Sequence, residues 1–160
     1  MSARLAELLK LVNGVAPSSD VYDSDPATDV VFFKNYDRIM FVLIQKTAGS
    51  NTGTATVTLE KCDDATPTTA TAVAFTYWKN EAAATADTFT KATATTAGFT
   101  TTANKTAIYI VEAKASDMGD GFPACRLQLT EAVDDPVIGC VLAICGDARY
   151  PGDSLPTAIA

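Results

Sequence analysis

Arg38 to Thr47, RIMFVLIQKT, carries an unbroken apolar run from Ile39 to Ile44 between polar ends. The run is far too short to cross a bilayer, which takes about 20 apolar residues. Its branched and aromatic side chains favour a strand over a helix. Apolar residues at both parities imply a strand covered on both faces. It is therefore expected at the centre of a sheet.

Other segments repeat this character outward from it. Thr54 to Lys61 alternates Ala55, Val57 and Leu59 with Thr and Glu, as a strand with one wet face does. Thr71–Lys79, Thr106–Lys114 and Cys125–Glu131 alternate in the same way, and Gly139–Cys145 has no polar side chain except thiols. Asp29–Lys34 precedes the central run by only Asn35, Tyr36 and Asp37, so the two are expected to form a hairpin. The Ala- and Thr-rich stretch from Asn80 to Ala103 is read as one strand near Thr85–Lys91 and then a loop. Loops are marked by Ala48–Gly53, Ser116–Pro123 and Asp134–Pro136.

Ser2 to Asn13 places Leu5, Leu8, Leu9 and Val12 at helical spacing, with Ser2 to cap and Asn13-Gly14 to stop. A helix this short needs a surface to lie on. Val15 to Thr28 reads as an extended linker. The expected fold is mainly β: an antiparallel β-sandwich or barrel of about eight strands, with a short N-terminal helix and an extended C-terminal tail. The divisions are 1–28 for helix and arm, 29–146 for the β domain and 147–160 for the tail, within a single globular domain, which suits a length of 160 residues.

The net charge of −7 opposes phosphate binding, so no nucleic-acid partner is expected. No segment has the length of a membrane span, and the start, MSARLAELLKLV, lacks the basic-then-apolar blocks of a secretory leader. The chain contains no His, which removes the commonest general base and every Ser-His or Cys-His pair. Cys62, Cys125, Cys140 and Cys145 form no CxxC unit, and an odd separation puts Cys140 and Cys145 on opposite faces of one strand. They are read as four reduced thiols, as in a protein made in a cytoplasm. Asp20, Asp23, Asp25 and Asp29 lack the Gly and closing Glu of a calcium loop, and like Asp134 and Asp135 they are read as turn residues. No catalytic residue, cofactor or metal site is expected. Trp78, Tyr77 and Tyr109 are the aromatic residues from which a sugar platform would be built.

The last segment, VIGCVLAICGDARYPGDSLPTAIA from Val137 to Ala160, has an apolar strand, a G-D-x-R-Y turn and a Pro-containing tail. In this it resembles the C-terminal ends of small virion proteins of tailed bacteriophages. The Ala/Thr-rich middle and short helical start are similar to phage capsid decoration, or cement, proteins. The resemblance implies a structural virion protein on the capsid surface, made in the host cytoplasm, with the major capsid protein as partner and a homotrimeric state. It implies no catalytic residues. On this reading the interface residues are Leu5, Leu8, Leu9 and Val12 of the start and Arg149, Tyr150 and Leu155 of the tail. The alternatives are a carbohydrate- or host-surface-binding β module, or a tail or neck component.

Overall fold

A computed structural model describes residues 5–47, 51–149 and 155–159. The expected class is present: two antiparallel sheets face each other around one core. The strands are β1 (Lys10–Ser18), β2 (Val31–Phe32), β3 (Tyr36–Thr47), β4 (Thr54–Cys62), β5 (Ala70–Val73), β6 (Phe75–Asn80), β7 (Thr90–Ala94), β8 (Phe99–Thr100), β9 (Ala107–Lys114), β10 (Ala124–Val133) and β11 (Val137–Ala148). One-turn helices α1 (Leu5–Leu8) and α2 (Ala115–Met118) complete the set, and no helix among the described residues is long and apolar enough to cross a membrane.

The larger sheet has the order β1-β11-β3-β9-β6-β7, so β3 is interior as expected. The smaller sheet runs β2-β10-β4-β5, with β8 added to β4. Ile39, Phe41 and Leu43 of β3 point between the sheets and are fully buried. They share the core with Val141 and Ala143 of β11, Tyr109 and Val111 of β9, Val57 and Leu59 of β4, and Leu127 and Leu129 of β10. Phe99 closes one side, its ring stacked on Tyr77 with centroids 4.0 Å apart.

Gln45 is the next inward residue of β3, and it is buried too. Its amide is fully used. Tyr22 Oη donates to its Oε1, and its Nε2 donates to the carbonyls of Thr102 and Lys105. A buried amide without partners would cost several kcal/mol, so this network fixes the end of the core. It also explains the burial of Tyr22, whose hydroxyl burial pushes well above its ordinary pKa.

Several expectations are corrected. The N-terminal helix stops at Leu8 and the chain continues as β1, because the free edge of β11 offers a backbone ladder to Lys10–Ser18. Val12 therefore alternates inward to the core instead of joining a helical stripe. The segment read as linker is part of the body: Val21 and Tyr22 are buried, and Thr28 N and Leu129 N donate to Leu127 O and Pro26 O respectively. Asp29–Lys34 forms no hairpin with β3. Only Val31–Phe32 is strand, and it pairs with β10 in the opposite sheet. Thr71–Lys79 is two strands, since the chain crosses from β5 in the small sheet to β6 in the large one at Ala74. The strand expected at Thr85–Lys91 lies later, at β7, because residues 81–85 form a turn held by Asn80 Oδ1 accepting from Ala82 N. Last, β11 runs through Ala148, and the tail is docked on the body. Phe32 N donates to Ala158 O at 2.8 Å and Tyr36 Oη donates to Pro156 O at 2.6 Å. Eleven strands among the described residues thus replace the expected eight: β1 forms where a helix and linker were expected, Thr71–Lys79 divides into β5 and β6, and β8 forms within the expected loop.

Phe41 is the centre of this core. Phe41→Ala is expected to cost about 3–5 kcal/mol, as other buried Phe truncations do. Urea unfolding followed by circular dichroism measures this, and a loss under about 1 kcal/mol contradicts the placement of Phe41 in a tight core.

Candidate interaction face

The strands that carry Ile39, Phe41 and Leu43 inward must send their intervening residues outward. The outer face of the large sheet is largely apolar at its centre, with polar residues toward its margins. Across β1, β11, β3 and β9 the register aligns Leu11, Ile144, Met40 and Glu112 in one row. The next row is Asn13, Leu142, Val42, Ile110 and Trp78, ending at Lys91 on β7. Cys140, Ile44 and Ile108 follow, and Ile138 beside Lys46 ends the face.

This corrects the expectation that β3 is covered on both sides. Its outer side is open: Ile44 is 38% exposed, Ile138 46% and Leu11 58%. Isolated exposed apolar residues are ordinary, but a contiguous patch marks an interaction surface. The signal was present in the sequence as continuous apolar runs at both parities in β3 and β11. Such runs predict cover on both faces, and among the described residues nothing lies over the middle of the outer one.

The expected interface residues divide. Leu5 and Leu8 on α1 are exposed, Leu5 by 74%, and Leu9 is half-buried. These three overhang the Met40–Ile144 end of the face, leaving a cleft of about 600 Å³ floored by Met40, Ile144 and Gly146. They therefore extend the apolar surface. Val12 is withdrawn from it, since its side chain belongs to the core. Arg149 is exposed and tied to Asp37, with Nη2 at 2.8 Å from Oδ1 and its backbone N–H donating to Asn35 O. Leu155 is half-buried on the docked tail, and Tyr150 lies outside the described residues. At the α1 end Arg38 bridges Glu112 at 3.5 Å and Asp147 at 2.9 Å. Exposed pairs of this kind contribute at most about 1 kcal/mol, so they act as a polar margin.

Burial raises the thiols of Cys62 and Cys145 to about 11 and pushes that of Cys125 well above its ordinary value, which suppresses the thiolate a nucleophile needs. Glu81 accepts from Thr102 Oγ1 and Lys79 Nζ, and these bonds lower its pKa, Thr102 first. Tyr109, to which Thr102 N donates, is raised by burial. A catalytic acid and base would be tuned toward neutrality, and this pair is tuned away from it. Among the described residues no three His, Cys, Asp or Glu side chains are grouped to hold a metal ion. Tyr77 and Tyr109 are core residues, so only Trp78 of the three candidate platform aromatics faces outward, with Lys91 Nζ at 5.8 Å from its ring.

The turn carboxylates do have an electrostatic consequence. Asp25 Oδ1 accepts from Glu131 N at 2.6 Å, and Asp20 Oδ1 accepts from Tyr22 N, which ties the 20–28 segment to β10 and to itself. Glu131 stands among these acids with Oε1 buried and without a hydrogen-bond partner. Desolvation, then the charges of Asp134, Asp20, Asp23 and Asp25, raises its pKa.

Comparison of the chain with protein-family models, curated proteins and solved structures found no match.

Because the folded pKa of Glu131 is raised, its protonated form favours the fold. Its stabilising contribution is full below the unfolded pKa and is lost as pH rises through the folded one. Glu131→Gln is therefore expected to raise the melting temperature at neutral pH, with the gain shrinking as the pH falls toward the carboxylate range. A variant that melts lower than the parent at neutral pH contradicts this.

Proposed function

We propose that this chain is a structural virion protein: a capsid decoration protein that binds the outer surface of a tailed-phage head and stabilises it. Its partner on this reading is the major capsid protein, its working state a homotrimer and its location the virion surface. The observation that carries the proposal is the apolar surface running from α1 across the outer face of the large sheet, which marks a chain that works within an assembly. A stiff two-sheet body that presents such a surface works by contact. The resemblance of Val137–Ala160 to phage virion proteins supplies the kind of contact. The free thiols accord with synthesis in a reducing cytoplasm.

The carbohydrate-binding alternative draws less support. A sugar platform needs aromatic faces presented together, and Tyr77 and Tyr109 are enclosed in the core.

Particles of the encoding virus prepared without this protein provide the test. Added protein is expected to bind them at a fixed ratio to the major capsid protein and to raise the temperature at which they release their genome. Binding to a glycan array at micromolar strength, with no association with particles, contradicts the proposal.

A further inference from the structure

We infer that the outer face of the large sheet is covered by further copies of this same chain. The inference rests on reading the chain as an assembly protein, and it names the surface through which the copies meet.

Shape is the first argument. The face is a sheet surface, not a groove, and the surface that packs best on it is another sheet, about 10 Å away. This protein already solves that packing problem once, between its own two sheets.

Size is the second. From β1 to β6 and from the Met40 row to the Lys46 row the face measures about 20 Å each way, from the usual strand spacing and rise. That is about 400 Å² in flat projection, already within the range of the largest patches on ordinary monomers. Side-chain relief and the leucines of α1 add to it. A standard interface takes about 800 Å² of accessible surface from each partner, so the flat face supplies about half of that and its side-chain relief and the leucines of α1 supply the remainder.

Charge is the third. The rows of Leu142, Val42 and Ile110 and of Cys140, Ile44 and Ile108 contain no charged residue between the strands that bear them. Core-like interfaces of this kind belong to permanent partners, whereas transient ones are about as polar as the rest of a surface. A permanent partner must be present whenever the chain is made, and a second copy always is. The chain is acidic, with a net charge of −7, and like copies repel unless the carboxylates are kept apart. Asp20, Asp23, Asp25, Glu131 and Asp134 gather where the 20–28 segment crosses β10, and Asp20 Oδ1 also accepts from Val137 N at the start of β11. The margin of the face instead carries Lys46, Lys91 and Lys114, with Arg38 paired to Glu112 and Asp147.

Sedimentation equilibrium on the full chain is the test. It is expected to give a dimer or trimer at micromolar concentration, and Val42→Glu and Ile44→Lys are expected to give monomers with unchanged circular dichroism. Trp78, the sole Trp, reports without any substitution: its emission is expected to shift to the red as the parent protein dissociates on dilution. A parent chain that is monomeric at high concentration overturns the inference. So does an oligomer that survives both substitutions, or one that dissociates with no change at Trp78. Particle binding separates the two readings. Oligomers that ignore particles keep this inference and overturn the decoration role, while monomers that bind particles do the reverse.

Discussion

The pairing of β3 with β11 is the constraint on which the rest depends. Their ladder is continuous from Tyr36↔Ala148 to Thr47↔Val137, and both strands are apolar at both parities. A one-residue slip would exchange the faces but would not expose a polar set, so hydrophobicity alone does not choose the register. Specific residues choose it. Gly139 lies where an added Cβ would meet Ile44 O at 2.5 Å and the Val21 side chain at 3.0 Å, so the segment bearing Val21 and Tyr22 can close over β11 only there. Gln45 must point inward to receive Tyr22 and to reach Thr102 and Lys105. A slip would strand this amide in apolar surroundings or in solvent.

Once that register is set, the outer face follows without further choice. Ile39, Phe41 and Leu43 inward means Met40, Val42 and Ile44 outward, and β11 repeats the pattern with Leu142 and Ile144. The smaller sheet differs, since the outward residues of β10 and β4 are Arg126, Gln128, Thr56, Thr58 and Glu60, with Arg126 and Glu60 paired at 2.8 Å. One chain thus carries an ordinary wet sheet and an apolar one. The asymmetry leaves the large sheet as the one whose outer face is apolar.

Much of the architecture was legible because the long strands alternate cleanly. Thr54–Lys61 and Thr106–Lys114 fall within a residue of β4 and β9. What was not legible depended on partners distant in sequence. Lys10–Ser18 has a helical spacing of leucines before it, and only the open edge of β11 turns it into a strand. Asp29–Lys34 looked like one arm of a local hairpin, yet β10 captures Val31 and Phe32 and leaves β3 to β9 and β11. The crossover at Ala74 left no mark, because alternation continues through it while the sheet changes. The candidate site was half legible. Leu5, Leu8 and Leu9 are expected as an interface and extend one, whereas Val42 and Ile44 are expected to be covered, because an apolar outer face and an apolar inner face look alike in a sequence.

Cys140 gives the most direct measure of whether the face is covered. It is the one thiol on that face, and Cys62, Cys125 and Cys145 are enclosed in the body. In native protein at high concentration, alkylation of Cys140 followed by peptide mass spectrometry is predicted to be slow, and to accelerate on dilution while the other three stay protected. Rapid modification of Cys140 at every concentration, at the rate of an open surface thiol, would contradict the account.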